Sequence, residues 1–158
     1  MRKFFTAPLM VLFLWAFSVA TANANTLIGT VVAVLDGDTV KVLDNQKTEY
    51  KIRLDQIDAP EKSQAFGQKS KQYLSSLIYG KTVVVNWKKT DRYGRILGVI
   101  SYNKQNINLL MVQQGYAWAY IKYLQDNKYL EVQQLAQKQK KGLWVDPNTT
   151  PPWDWRRK

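Results

Sequence analysis

Val34-Leu35-Asp36-Gly37-Asp38-Thr39-Val40 joins two β-branched, apolar runs, Thr26 to Leu35 and Thr39 to Leu43. Asp-Gly between such runs predicts two strands connected by a tight turn. Asp44-Asn45-Gln46-Lys47 supplies a second turn, and Glu49 to Gln56 a third strand. In that strand Tyr50, Ile52 and Leu54 alternate toward a core, while Lys51, Arg53 and Asp55 face the other way. Beyond the Pro60 loop, Phe66, Tyr73, Leu74, Leu77 and Ile78 share one helical face, with Gly80 at a C-terminal cap. Lys81 to Trp87 and Ile96 to Tyr102 read as the fourth and fifth strands. Asn106 to Gln114 predicts a short helix closed by Gly115. Asp126 caps a longer one reaching about Lys140, apolar at Leu130, Leu135 and Ala136. Five strands, a helix after the third and two helices at the end predict an α+β fold: a small Greek-key β-barrel with helical cover.

The chain has 158 residues and a formal net charge of +11. Arg2 and Lys3, an apolar run from Leu9 to Phe17, and Ala22-Asn23-Ala24 form a secretory signal peptide, residues 1–24. The apolar run is short for a membrane span, so no stable membrane insertion is expected after cleavage, and the product is periplasmic or secreted. Removing 24 residues from 158 leaves 134, one monomeric domain's worth, and takes the charge from +11 to +9. That balance favours a polyanionic partner, either nucleic acid or an anionic membrane surface. Cysteine is absent, which excludes disulfides and thiolate metal sites. Histidine is absent too, so no His base, Ser-His-Asp triad or His-ligated zinc exists, and any base is a carboxylate, Lys or Tyr.

Three short stretches concentrate the chemistry: Asp36 to Thr39, Arg53-Leu54-Asp55-Gln56-Ile57-Asp58-Ala59-Pro60-Glu61, and Asp91-Arg92-Tyr93-Gly94-Arg95. Each supplies a carboxylate or guanidinium of the kind phosphodiester hydrolysis requires. A hard cation takes oxygen ligands, an attacking water needs a base, and a crowded phosphorane needs cationic donors. Singly, each stretch is a plain turn or loop; together they form the acid, base and cation set of one reaction.

In order and spacing these motifs resemble the thermonuclease, or staphylococcal-nuclease-like, family, from about Thr30 to Trp144. The resemblance implies a five-stranded OB-fold Greek-key β-barrel with three α-helices over residues 25–144. It also implies calcium as cofactor, and DNA and RNA as substrates cut to 3′-phosphates. It marks Asp38, Asp58 and the Ala59 carbonyl as calcium ligands, with Asp36 behind them. It gives Glu61 the role of general base, sets Arg53 and Arg95 on the scissile phosphate, and sets Arg92 and Tyr93 on a nucleotide's terminal phosphate. Two carboxylates and a carbonyl do not saturate calcium, which takes roughly six to eight oxygens, so waters and substrate complete the shell. Compared with the family pattern, Ala59 replaces a threonine, Arg92 a lysine, and Lys62 to Gly67 is a shorter loop.

Outside the motifs, Tyr116, Trp118, Tyr120 and Tyr123 either stack bases or pack on the barrel. Lys138, Lys140 and Lys141, with Arg156, Arg157 and Lys158, form either a phosphate-attracting surface or, for the first three, a solvated helix face. The tail, residues 145–158, is expected to be extended and poorly ordered, or laid along the surface. Two rival readings stay open: a noncatalytic nucleic-acid-binding module on the same barrel, and a cationic protein held on an anionic envelope surface.

Overall fold

The computed structural model describes residues 24–158. The signal peptide expected at residues 1–24 therefore lies outside the described residues, Ala24 excepted. Six strands, β1 (Asn25–Asp36), β2 (Thr39–Leu43), β3 (Glu49–Leu54), β5 (Thr82–Thr90), β6 (Ile96–Tyr102) and the two-residue β7 (Gln105–Asn106), form one sheet in the order β3-β2-β1-β5-β6-β7. A parallel pairing of β3 with β6 (Ile52↔Ile96, Leu54↔Gly98) closes it, making a five-stranded mixed barrel of the OB type from β1, β2, β3, β5 and β6. β1 pairs with both β2 and β5, and two register shifts, between Val31 and Ala33 and between Val34 and Asp36, bend it between these partners. Gly98 fits inside this curve because a Cβ there would lie 2.5 Å from Val85 Cγ1.

The alternation read in β2 and β3 sends Val40, Val42, Ile52 and Leu54 into the barrel, all fully buried, where Val31, Val83, Val85 and Ile100 meet them. Helix α1 (Gly67–Ile78) adds Leu74 and Ile78 to this core, and α2 (Ile107–Gln113) adds Ile107, Met111 and Val112. Asn106 caps α2 by accepting from Leu109 N at 3.0 Å. Helix α3 (Lys128–Lys138) begins after Asn127; Asp126, the expected cap, accepts instead from Lys128 N at 2.9 Å. Its buried face is Tyr129, Gln133 and Ala136, so Leu135, expected on the apolar stripe, points to solvent one position away. β5 runs three residues past the expected Trp87 by pairing with β6 across a bulge.

Two features place the site. β4 (Ile57–Asp58) is pinned by β8 (Trp118–Ala119), which fixes the backbone at Asp58 after it leaves the barrel. Of the two forms expected of the tail it takes the second, laid along the surface, with Thr150 O accepting from Gln64 Nε2 at 2.6 Å and Trp153 against Tyr120. Leu143 N donates to Gly115 O at 2.8 Å, Leu143 and Trp144 are buried, and a fourth short helix, α4 (Pro152–Trp155), follows. Pro152 stands at the first helical position, where a missing N–H costs nothing, and is itself buried. Packing thus continues past residue 144, the expected boundary of the domain. No helix among the described residues is long and apolar enough to cross a membrane.

Candidate active site

The turn after β1 and the end of β3 meet because β2 pairs with β3, Thr39 opposite Arg53, and Leu54 N donates to Asp38 O at 2.8 Å. Asp38 accepts from Ala59 N at 2.7 Å through Oδ2 and from Thr39 Oγ1 at 3.1 Å through Oδ1. Asp36 Oδ1 accepts from Asp38 N at 3.1 Å. Gly37 sits under α1, where a Cβ would meet Ser70 Oγ at 2.0 Å.

Arg53 is the keystone of the cluster. Its Nη1 donates to Leu54 O at 2.6 Å and Ile57 O at 2.8 Å. Its Nη2 lies 2.9 Å from Asp58 Oδ1 and 3.2 Å from Asp38 Oδ2, so one planar cation fixes a strand end and spans two buried carboxylates. The acids nonetheless outnumber it. Burial, then the Asp38 charge, pushes the Asp36 carboxyl up to about 7. Burial also raises Asp58 above the ordinary carboxylate range, against the pull of two arginines.

Glu61 stands at the rim, on a turn closed by Gln64. Opposite, the β5–β6 turn carries the third stretch. Asp91 accepts from Tyr93 N at 2.9 Å and Arg95 N at 3.0 Å, and Arg95 Nε donates back to Asp91 Oδ2 at 2.8 Å. Burial tends to raise Asp91, but the Arg95 side chain and the two amides outweigh it and hold the carboxyl low. Tyr93 is exposed, with Arg92 4.8 Å and Arg95 5.6 Å from its ring centre.

All nine residues singled out in the sequence, Asp36, Asp38, Arg53, Asp58, Ala59, Glu61, Arg92, Tyr93 and Arg95, line one open cleft of about 800 Å³. Lys89, Lys122, Tyr120 and Tyr123 line it too, adding two cations and two aromatic rings to the cleft. The aromatic stretch divides. Tyr116 stacks on Tyr73 with centroids 4.0 Å apart and Trp118 meets Trp144 edge-on at 4.3 Å, both as packing, whereas Tyr120 and Tyr123 face the cleft.

One member of the acid cluster's ion pairs was not read from the sequence. Arg156, assigned with its neighbours to a general basic surface, enters the acid cluster. Its Nη2 lies 2.7 Å from Asp58 Oδ2, and its Nη1 lies 3.2 Å from Asp58 Oδ1 and 2.5 Å from Glu61 Oε1. These bonds, Asp58 foremost, raise its pKa further. No spacing signal ties Arg156 to a motif 95 residues away.

The donor set suits a hard cation. Asp36, Asp38 and Asp58 bring carboxylates together with no thiolate or imidazole among them, and burial is the main reason Asp36 and Asp58 are raised, with the Asp38 charge adding to it. Among the described residues no three acidic side chains converge as a group that could by itself hold a metal ion. Facing cations and an acid on the rim complete a site able to hydrolyse a phosphodiester.

Comparison with known proteins agrees. The family model described as staphylococcal nuclease homologue matches residues 51–146. An "Uncharacterized endonuclease" of Haemophilus influenzae is 49% identical over 156 residues, 99% of this chain and 86% of that protein. An Escherichia coli "Uncharacterized endonuclease" is 45% identical, covering 100% of this chain and 99% of its own length. A Shigella flexneri "Micrococcal nuclease" is 46% identical over 82% of this chain and 80% of its own. With the barrel, the cleft and these matches together, the chain belongs to the staphylococcal nuclease homologue family.

Proposed function

We propose that this phosphodiester-hydrolysing nuclease is calcium-dependent, cuts both DNA and RNA to 3′-phosphate products, and works as a monomer outside the cytoplasm, in the periplasm or the medium. The observation that carries the catalytic reading is the convergence on one cleft of Asp38, Asp58, Glu61, Arg53 and Arg95. The signal-like N-terminus supports export, and the high positive charge supports a polyanionic substrate.

Asp38 and Asp58, with the Ala59 carbonyl, would hold the ion, and Asp36 steadies Asp38 through its amide. When bound, calcium supplies Lewis-acid polarisation of the phosphate. Glu61 takes the proton from the attacking water, a role open to it because its carboxylate is partly solvated. Arg95, held at Nε by Asp91, presents its terminal nitrogens to the equatorial oxygens as charge builds on them, and Arg53, whose terminal nitrogens hold two carbonyls and two aspartates, adds its fixed positive charge beside them. The 5′-oxygen then leaves and the 3′-phosphate remains. Arg92, which lies against the exposed Tyr93 ring, and Tyr93 hold a nucleotide's terminal phosphate. The absence of any 2′-hydroxyl contact requirement in this scheme accounts for action on both sugars.

Digestion of DNA and RNA by the purified chain lacking residues 1–24, with calcium and with chelator, followed by mapping of product ends, tests this reading. Calcium-dependent cutting to 3′-phosphates is expected. Undiminished cutting in chelator, or 5′-phosphate ends, overturns it.

A further inference from the structure

The tail binds where the reaction needs open ligands. Arg156 grips Asp58 in a two-pronged fork, 2.7 Å and 3.2 Å, and reaches Glu61 at 2.5 Å. Asp58 Oδ1 is also engaged by Arg53 at 2.9 Å, so both Asp58 oxygens carry guanidinium bonds. We propose that the C-terminal tail is an intramolecular plug: Arg156 takes the place of a divalent cation between Asp58 and Glu61, and ion binding and tail docking exclude each other. The proposal rests on the calcium reading above and adds to it a gate supplied by the chain itself.

Three independent contacts show that docking is built in rather than a stray ion pair. The Trp153 ring lies parallel to Tyr120, 5.3 Å between centroids and 2° between planes, and meets Trp118 edge-on at 5.7 Å. Buried Gln64 donates through Nε2 to Thr150 O at 2.6 Å. The short α4 then sets Trp153 and Arg156 three residues apart, on one side of the helix, so one reaches the aromatic wall and the other the acids. The tail covers Tyr120 as well as Asp58, and a substrate strand entering along that wall meets it too.

The exclusion follows from charge and space. A guanidinium and a divalent ion cannot both sit within bonding distance of the same Asp58 oxygens without strong repulsion. The coupling is reciprocal: whatever factor the docked tail takes from ion affinity, the ion takes from tail docking. Release is feasible because Arg156 is partly solvated.

Calorimetric calcium titration of the full chain lacking residues 1–24 tests the plug, comparing it with Arg156→Ala, Trp153→Ala and Arg157→Ala. Arg157 pairs with Asp154 within the tail and serves as the charge control. Arg156→Ala is expected to tighten calcium roughly tenfold, the ordinary size of a coupling between sites. Trp153→Ala, which removes no charge, tightens it severalfold, and Arg157→Ala leaves it within about twofold. Because the chain has no cysteine, Lys158→Cys accepts a single nitroxide, whose spectrum should sharpen as calcium frees the tail. Equal calcium affinity in all four proteins with an unchanged nitroxide spectrum overturns the plug and leaves the calcium reading intact. No calcium binding in any of them overturns both.

Discussion

Glu61 and Gln64 hold each other in a reciprocal pair: Glu61 N donates to Gln64 Oε1 at 3.1 Å, and Gln64 N donates to Glu61 O at 2.8 Å. Gln64 is buried and also ties down Thr150, so it positions the rim acid without touching the reaction. Gly67 completes the turn, since a Cβ there would lie 1.9 Å from Glu61 O.

Gln64→Ala is therefore expected to cost about 1–3 kcal/mol of stability, the range for leaving buried partners unsatisfied. It should lower kcat about tenfold with KM little changed, because a misplaced base weakens only the transition state. Denaturant melts and steady-state kinetics measure the two effects. A Gln64→Ala protein with wild-type kcat at full folding would separate Glu61 from this turn.

Arg53→Lys keeps the charge but not the fork. An ammonium cannot reach Leu54 O, Ile57 O and both aspartates together from the position of the guanidinium. Loss of 10²–10³-fold in kcat is expected, about 2.7–4 kcal/mol, the scale of one preorganised donor. A lower melting temperature should accompany it, since the carbonyls of Leu54, at the end of β3, and Ile57, in β4, lose their donor. Retention of more than a tenth of wild-type kcat would show that position and not planarity is what Arg53 supplies.

The residues of the three stretches were legible because each stretch is local: a hairpin turn, a strand end and a second turn, with spacing set by backbone geometry. The barrel's strand order was not, because closure depends on Ile52 pairing with Ile96, two segments whose sequences carry no mark of each other. Leu135 shows the limit of periodicity on α3: Tyr129, Gln133 and Ala136 define the buried face, and a polar Gln133 takes a core place by accepting from Ala119 N at 2.8 Å. Arg156 was illegible for a different reason. Prolines and terminal charges read as a tail either poorly ordered or laid along the surface, with its arginines in a general basic surface, and only the folded surface reveals an aromatic seat for Trp153 beside the acids that Arg156 meets.

Asp91 carries a pH prediction. Its pKa is held below the unfolded value by Arg95 and two amides. A depressed acid contributes stability that is present above the unfolded pKa, about 4, and is lost as pH falls through the folded one. Asp91→Asn keeps an oxygen for the amides and loses the charge facing Arg95. It should be about 1 kcal/mol less stable than wild type at pH 7, with the two proteins converging as pH falls below the unfolded pKa and through the lower folded one. Urea melts across pH 2.5–7 (about this range spans the titration) decide it; a gap that persists undiminished at the acid end would place the effect in packing and not in charge.

Gly37 gives the sharpest test of how the fold aims Asp38. Its φ is not in the left-handed region, so a side chain there meets no backbone objection. The objection is space: a Cβ would lie 2.0 Å from Ser70 Oγ and 2.7 Å from the Ala59 Cβ. Ser70 is fully buried and donates to Tyr116 O at 2.5 Å, so it has little room to yield. Gly37→Ala must then push the hairpin off α1 and carry Asp38 away from Ala59 N. Overpacking of this kind costs about 1–3 kcal/mol, and nuclease activity should fall further than stability does. Ser70→Ala removes the Oγ contact but leaves the Ser70 Cβ at 2.8 Å and the Ala59 Cβ at 2.7 Å, so Gly37→Ala should cost less in the Ser70→Ala background than in wild type without becoming free. Strict additivity of the two changes would mean that the hairpin and α1 are not in the contact that now sets Asp38.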